Sequence, residues 1–171
     1  TKSVCGPFFD LAPLVEPDYP ASWARECLKF TAQLRQWLKT NHSVRYAVLA
    51  SPFSQYLLAN AQLVLPGGEQ RYTSPGLAIQ AFHNTLVELQ SLGITPVIFA
   101  PPPATDLDLG RCLTRANWMG FALDGCNFPT QEIAQERRIA YDFLANFEQG
   151  YRVIRLDQLM CDRIQCQAHL G

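Results

Sequence analysis

The sequence predicts an α/β fold, a three-layer α/β/α arrangement with a mainly parallel sheet. Helical and strand-like segments alternate along the chain in the order helix, strand, helix, strand, helix, strand. Each strand-like segment is short and mostly apolar, as expected for parallel strands covered on both faces. Right-handed crossovers between such strands place helices on both sides of the sheet. Because only three strands are evident in 171 residues, we expect a further strand upstream of this segment.

Three helices are predicted from apolar residues that recur three and four positions apart. Each is bounded by residues that commonly begin or end helices, such as serine, proline and glycine. The predicted limits are Ser22 to Asn41 for the first helix, Ser74-Pro75 to Gly93 for the second, and Pro129-Thr130 to Gly150 for the third.

The three predicted strands each end in a loop of unusual composition. The strands are residues 44–50, 96–100 and 151–156. Residues 1–21 are rich in proline and predict an extended covering segment, and residues 104–128 predict a long irregular stretch. No element is predicted between residues 57 and 72, where Pro66-Gly67-Gly68 marks a turn.

Size and charge indicate one soluble domain spanning residues 1–171. Lysine and arginine total 14 against 15 aspartate and glutamate, so no basic field exists to attract nucleic acid. The longest apolar runs, such as residues 96–103, are far shorter than the roughly 20 residues of a membrane span. The start, Thr1-Lys2-Ser3-Val4, has neither a methionine nor an apolar signal segment, which favours an excised piece of a longer chain.

The six cysteines fall into three local pairs, which favours disulfides and an oxidising compartment. Neighbours in sequence close short loops at low entropic cost, although other pairings remain open. Reduced structural thiols are one alternative, and a metal site near His169 is a weaker one. The pairs are Cys5 with Cys27, Cys112 with Cys126, and Cys161 with Cys166.

The loops after the strands are the places to look for a site, because ligands of parallel sheets bind at the carboxyl ends of the strands. The first loop offers Ser51, Ser54 and Tyr56 as weak candidates for an oxyanion pocket. A capped turn is the more common use of such residues. Neither serine lies in a nucleophile-elbow motif, so the catalytic residues themselves stay unassigned.

Other polar or rigid features carry weaker signals. The triple proline after Ala100 is a stiff end to the strand or, less often, a cleft wall. Asp106 and Asp108 lack a nearby third ligand, which favours a solvated loop over a cation site. No metal and no cofactor is therefore predicted.

The three histidines give no complete catalytic pair with a hydroxyl and a carboxylate. His42 follows the first helix, and His83 lies within the second at a position that predicts partial exposure. His169 has Asp162 seven residues before it, but that spacing forces no contact. It is a weak candidate for a general base.

Several motifs taken together resemble one family over essentially the whole chain. The segments are Cys5-Gly6-Pro7, Cys27, residues 44–56 (VRYAVLASPFSQY), residues 92–103 (LGITPVIFAPPP), Arg111-Cys112-Leu113, and Asp157-Gln158-Leu159-Met160-Cys161 with Cys166. In this order they resemble the SGNH domain fused behind the membrane acyltransferase family three in bacterial surface-polysaccharide O-acetyltransferases.

The resemblance implies catalytic blocks that this chain does not contain. Family members carry the nucleophile in a Gly-Asp-Ser-His block on the first strand and complete the triad with a late Asp-x-x-His block. By order these belong before Thr1 and after Gly171, so the resemblance implies a fragment; an inactive relative is the alternative. The family usually has arginine and tryptophan where this chain has Pro52 and Phe53, so only Ser54 and Tyr56 match in that loop.

The implied function is transfer of acetyl groups to hydroxyls of a cell-surface polysaccharide through a serine acyl-enzyme. The resemblance implies a periplasmic domain, tethered to the inner membrane by an upstream membrane acyltransferase domain that delivers the acyl donor. One alternative is a free carbohydrate esterase or deacetylase. Another is a non-catalytic, disulfide-stapled glycan-binding domain, in which Trp118 and Phe121 stack on sugar rings.

Overall fold

The structure is a computed structural model that describes residues 5–169. The Thr1-Lys2-Ser3-Val4 start, on which the expectation of an excised piece rests, lies outside the described residues. In chain order the helices and strands are β1 (Ala12–Leu14), α1 (Ala21–Thr40), β2 (Tyr46–Ala50), β3 (Gln62–Val64), β4 (Gln70–Tyr72), α2 (Pro75–Ser91), β5 (Thr95–Phe99), α3 (Leu109–Met119), β6 (Phe128–Pro129), α4 (Gln135–Ala145), β7 (Arg152–Ile154), α5 (Leu156–Met160) and β8 (Gln165–Cys166).

A three-stranded parallel sheet, in the order β2, β5, β7, gives the chain its α/β class. Val48 of β2 pairs with Val97 of β5, and Ile98 of β5 pairs with Val153 of β7. A helix precedes each strand: α1 before β2, α2 before β5 and α4 before β7. The predicted alternation and the predicted parallel pairing are therefore confirmed, with strands slightly shorter than expected.

The second helix begins and ends as predicted. The Ser74 hydroxyl accepts a hydrogen bond from the Leu77 N–H at 3.3 Å, and Pro75 occupies the first turn, where a missing N–H has no consequence. Gly93 follows the helix with a φ of 74°, a left-handed conformation that glycine adopts without strain.

The first helix begins two residues earlier than a Ser22 cap predicts, so Ser22 is not its cap. α1 starts at Ala21, and Pro20 before it is extended and makes no side-chain cap bond. The Ala24 N–H donates to the Pro20 carbonyl at 3.1 Å, which places Ser22 inside the first turn. Asn41 ends the helix, as expected.

The third helix is shorter than predicted at its start. Residues 130–132 form a 3₁₀ turn, and the extended backbone at Ile133 and Ala134 separates this turn from α4. β7 is likewise shorter than residues 151–156, and Asp157 lies in the short helix α5 rather than in a loop.

Two regions predicted to be irregular contain antiparallel strands. β3 and β4 form a hairpin within residues 57–72, and β1 from the proline-rich start adds to the other edge of β3. Gly67 and Gly68 form the hairpin tip with φ values of 91° and 88°. The strands are only three residues long, which is too short for alternation to be read from sequence.

The long stretch of residues 104–128 contains a helix that the sequence analysis missed. Asp108, considered above as a cation ligand, is the N-cap of α3 and accepts a hydrogen bond from the Arg111 N–H at 2.9 Å. Gly120 ends α3 with a φ of 70°. The cap and the glycine are local helix signals that the sequence itself contains.

A cluster of aromatic side chains fills the core between the sheet, α2 and α4. Phe8 stacks on Tyr56 with ring centroids 4.1 Å apart, and Phe82 contacts Phe143 at 5.6 Å. These rings bury large apolar areas, and their tilted and edge contacts add further stabilisation. The aromatic cluster comprises Phe8, Phe53, Tyr56, Phe82, Phe143 and Phe147.

Three disulfides join cysteines that are neighbours in sequence, which fits the local pairs suggested above. Cys5–Cys27 ties the first described residues to α1, and Cys112–Cys126 ties α3 to the segment that follows it. Cys161–Cys166 closes the turn between α5 and β8. The described residues contain no free cysteine.

We expect Tyr56→Phe to lower the free energy of unfolding by about 1 to 2 kcal/mol. The buried Tyr56 hydroxyl accepts a hydrogen bond from the Gly6 N–H at 2.8 Å, and its loss leaves that donor without a partner. Urea denaturation measures the effect. Tyr72→Phe, at a residue 66% exposed, is the matched control and should change little. Equal stability of the two variants would contradict this role.

Candidate active site

An open cleft lies at the carboxyl ends of β2 and β5, where the sequence predicted that a site would be found. Its volume is about 530 Å³. The walls are mostly apolar, with one hydroxyl and one charged side chain among them. The lining residues are Val48, Ala50, Ser51, Pro52, Phe99, Ala100, Pro101, Pro102, Arg137 and Leu156.

Of the three candidates in the first loop, Ser51 lies in the cleft. It is half-buried, directly follows β2, and its hydroxyl oxygen accepts a hydrogen bond from the Phe53 N–H at 3.2 Å. Because the oxygen already accepts this bond, the hydroxyl hydrogen can be donated into the cleft. Ser51 can therefore stabilise negative charge on a bound oxygen.

Phe53 makes the sharp turn that aims Ser51 at the cleft. Its φ of 61° is left-handed, which is uncommon for a residue other than glycine. The ring is 1% exposed and packs within the aromatic cluster, so burial holds the backbone in this conformation. Strained backbone of this kind concentrates at functional sites.

Ser54 and Tyr56, the other two candidates, are buried away from the cleft lining. Ser54 begins the 3₁₀ turn of residues 54–56, and its carbonyl accepts bonds from the next turn. Tyr56 bonds to Gly6, and burial raises the pKa of its hydroxyl well above the usual value. Both residues position the loop.

The proline segment after β5 ends the strand and also forms a wall of the cleft. Pro101 and Pro102 line the cleft, and the Pro101 carbonyl accepts a hydrogen bond from the Tyr141 hydroxyl at 3.3 Å. The sequence left both roles open for this segment, and the geometry combines them. A proline wall is rigid because each ring restricts the backbone.

A network of charged side chains around Arg155 lies at the carboxyl end of β7, the third strand of the sheet. Arg155, next after β7, contacts Asp157 at 2.7 Å and Glu148 at 2.6 Å, and it lies 5.0 Å from the Tyr141 ring centre. The hydrogen bonds of Asp157, and next those of Glu148, raise the pKa of Arg155 above its usual value. Burial, followed by the Asp157 charge, raises the pKa of Tyr141 to about 12.

None of the three histidines lines the cleft. His42 and His83 are exposed, the second as predicted. His169 contacts Asp124 at 3.2 Å. Asp162, considered above as its carboxylate, instead accepts bonds from the Ile164 and Gln165 N–H groups. The described residues therefore bring no imidazole to Ser51.

Arg137 is a cleft residue that the sequence analysis missed. It projects from the first turn of α4, and its neighbour Arg138 donates to the carbonyls of Ile133 and Thr130 instead. The predicted helix began at Pro129-Thr130, so its sequence did not place Arg137 in the first turn; the later start at Gln135 does.

The remaining chemistry-bearing groups do not form a metal centre. Within residues 5–169, no group of three or more histidine, cysteine, aspartate or glutamate side chains is placed to hold a metal ion. Asp108 acts as a helix cap, and all cysteines in this range are in disulfides. The groups that the described residues bring to the cleft are therefore the Ser51 hydroxyl, the Arg137 side chain and apolar walls.

The family model described as the SGNH domain fused to AT3 domains matches residues 1–171. The chain belongs to this family. The resemblance inferred from the motifs is thereby confirmed, and membership fits an enzyme with acyl- or acetyl-related activity. No curated protein and no solved structure gave a significant match.

The AT3 fusion in the family description is consistent with a membrane acyltransferase as the partner domain of this SGNH domain. None of the helices described in residues 5–169 combines the length and apolarity needed to cross a bilayer.

We expect the stability contributed by Tyr141 to be lost in alkali. Its pKa is about 12 in the folded SGNH domain and about 10 when unfolded, so the unfolded state releases the proton first. The contribution is fully present below pH 10 and disappears as the pH rises towards 12. At pH 11 the loss relative to pH 8 is about 1 kcal/mol.

Urea denaturation of the parent and of Tyr141→Phe at both pH values measures this loss. The phenylalanine variant should show a smaller fall between pH 8 and pH 11. Tyr72→Phe, which removes an exposed hydroxyl, should behave as the parent does. An identical fall in all three proteins would show that Tyr141 is not responsible.

Proposed function

We propose that this SGNH domain transfers acetyl groups to hydroxyls of a cell-surface polysaccharide through a serine acyl-enzyme. The observation that carries the proposal is the position of the cleft in a domain of this family. It opens at the carboxyl ends of parallel strands, the usual ligand site of such sheets, and its lining includes Ser51 and Arg137.

The nucleophile and its Asp-His partner come, in this proposal, from outside residues 1–171. A serine is a weak nucleophile unless a base removes its proton, and histidine oriented by a carboxylate is the common base. No histidine among the described residues lines the cleft, and Ser51 has no base beside it. Ser51 acts as an oxyanion donor in this scheme.

The exposed edge of β2 supports this assignment. Within residues 5–169, β2 pairs only with β5, so its other edge is unpaired. Tyr46 and Val48, two residues apart and therefore on the same face of β2, are 68% and 66% exposed. Strands of parallel sheets are normally buried, and an exposed apolar edge invites another strand. A groove of about 380 Å³ between β2 and α1, which includes Trp37, lies beside this edge.

A parallel strand added to that edge places its carboxyl end beside Ser51. This is where a nucleophile block at the end of a first strand has to lie in order to reach the cleft. Helices on both faces of the enlarged sheet complete the proposed three-layer α/β/α arrangement. The single domain therefore includes residues beyond 1–171.

The chemistry is two acyl transfers at one centre. The serine oxygen attacks the acetyl carbonyl, the imidazole takes the serine proton, and the leaving group departs with that proton. A sugar hydroxyl then attacks the acyl-enzyme, and its proton returns through the imidazole to the serine oxygen. Ser51 and nearby backbone donors stabilise the oxyanion in both steps.

The proposed location is the periplasm, with tethering to the inner membrane through an upstream membrane domain. Three disulfides indicate an oxidising compartment. The AT3 domain of the family description is the proposed source of the acyl group. A free carbohydrate esterase or deacetylase would use the same cleft, but it would hand the acyl group to water.

One observation favours a second candidate, a non-catalytic glycan-binding domain. Trp118 at the end of α3 is 85% exposed, and Phe121 just after it is 61% exposed. Exposed aromatic rings stack on the apolar faces of sugars. A pocket of about 490 Å³ that includes Phe121 and Arg115 lies beside them.

Acetyl transfer by the complete gene product that carries this domain tests the proposed enzyme. We expect the protein to cleave p-nitrophenyl acetate and to acetylate a polysaccharide acceptor. Ser51→Ala should lower turnover about 100-fold, as expected for loss of one oxyanion donor. Unchanged turnover of this variant would remove Ser51 from the mechanism, and a protein without ester chemistry would refute the enzyme.

Tyr46→Lys tests whether the complete protein covers the exposed face of β2. A lysine there is compatible with an exposed face but not with one that added structure buries. We expect this variant of the complete protein to lose acetyl transfer. Tyr72→Lys, an equally exposed tyrosine on β4, is the control and should retain activity. Full activity of Tyr46→Lys would contradict burial of this face of β2 in the complete protein.

Trp118→Ala separates the two candidate functions. An acyltransferase that works through the cleft should keep its turnover within about twofold, because Trp118 does not line the cleft. Loss of polysaccharide retention on an affinity gel, in a protein that shows no ester chemistry, would support the glycan-binding candidate instead.

A further inference from the structure

The cleft contains one charged side chain, and that side chain has no partner in the described part of the chain. Arg137 is the only ionisable residue in the lining. Its Nε atom is shielded from solvent, and no hydrogen-bond acceptor within residues 5–169 lies against it. A buried guanidinium nitrogen without an acceptor is unfavourable, because charged donors lose hydration on burial.

The acidic side chains of the Arg155 network make their ion pairs with Arg155 and not with Arg137. Asp157 and Glu148 both bind Arg155, at 2.7 and 2.6 Å. Arg138 is satisfied by backbone carbonyls and brings a further positive charge. No ion pair within residues 5–169 includes Arg137. The cleft is therefore electropositive at this point.

The helix adds to the positive potential instead of reducing it. Arg137 lies in the first turn of α4, where the N–H groups of the helix already favour anions. Glu136, the exposed residue before Arg137, is the acidic side chain of the same turn, and within residues 5–169 it forms no ion pair with Arg137. An anion bound in the cleft would interact favourably with both the guanidinium and the helix N-terminus.

We propose that Arg137 binds an acidic group carried by the sugar acceptor, so that the cleft selects anionic sugars. This inference rests on the proposed acyl transfer to a polysaccharide. A guanidinium presents parallel N–H donors that match the two oxygens of a carboxylate or phosphate. Pro101, Pro102 and Leu156 supply apolar walls for the sugar ring and its acetyl group.

Binding of small sugars to the complete gene product that carries this domain tests the inference without requiring catalysis. The probes are glucuronate, glucose 1-phosphate and glucose, titrated separately and followed by NMR. We expect both acidic sugars to bind more tightly than glucose, and their affinities to fall as salt is raised. The two acidic probes distinguish a carboxylate from a phosphate as the preferred group.

Arg137→Gln should weaken binding of the acidic sugars about tenfold and leave glucose unaffected. Arg137→Lys keeps the charge but cannot donate two parallel hydrogen bonds to one acidic group. Its affinity for the acidic sugars should therefore lie between those of the parent and Arg137→Gln. Arg25→Gln, at an exposed position of α1 outside the cleft lining, removes the same charge and should bind as the parent does. If Arg137→Gln fails to fold, Arg137→Lys and the salt dependence decide the question.

Equal binding of the three sugars by the parent protein would overturn the inference. So would equal losses in Arg137→Gln and Arg25→Gln. These failures differ from failure of the proposed function. Selective binding of acidic sugars by a protein without acyl transfer would leave the inference standing alone, and acyl transfer without that selectivity would remove the inference alone.

Discussion

The packing of the aromatic cluster determines where the candidate active site lies. Phe53 follows β2 and its ring is buried against Phe8, Phe82 and Phe143. Burying a ring of this size contributes about 2 to 3 kcal/mol, which is enough to offset a left-handed backbone that costs about 1 to 3 kcal/mol. Because the ring cannot leave the core, the turn is held and Ser51 is kept at the cleft. Loss of this packing would remove the constraint on the Phe53 turn and, with it, the constraint on the position of Ser51.

The segment before β1 is held in this core by buried polar contacts as well as by its rings. The Phe9 N–H donates to the Thr85 hydroxyl at 3.1 Å, and the Phe9 carbonyl accepts from the Thr31 hydroxyl at 2.9 Å. Gly6 lies so close to Tyr56 that a Cβ would come within 2.5 Å of its ring. The Cys5–Cys27 disulfide limits the same segment in the unfolded state. A proline-rich segment without periodicity is thus ordered by tertiary contacts, which local sequence patterns do not record.

The sequence predicted those features that depend on local or repeating signals. Ser74 and Gly93 bound α2 because cap and stop chemistry is local. The parallel sheet followed from the alternation of helices and strands, and the cleft followed from its carboxyl edge. The three-residue strands β3 and β4 were missed because their pairing is what stabilises them. Arg137 was missed because its importance depends on the absence of a partner, and only three-dimensional contacts show that.

Among the described residues, some arginines are paired with acids inside the protein, whereas the arginine in the cleft is not. Arg35 holds Asp10 and Glu88, and Arg155 holds two further acids, so both are satisfied inside the protein. Arg137 is close enough to the Arg155 network to influence the same tyrosine, yet the network leaves it no acid. An added carboxylate at that position would stabilise the free protein and neutralise the cleft. Active sites commonly retain such unfavourable arrangements. A hydrogen-bond donor without an acceptor inside the folded protein can bond to an acceptor on a ligand, and that bond contributes to binding.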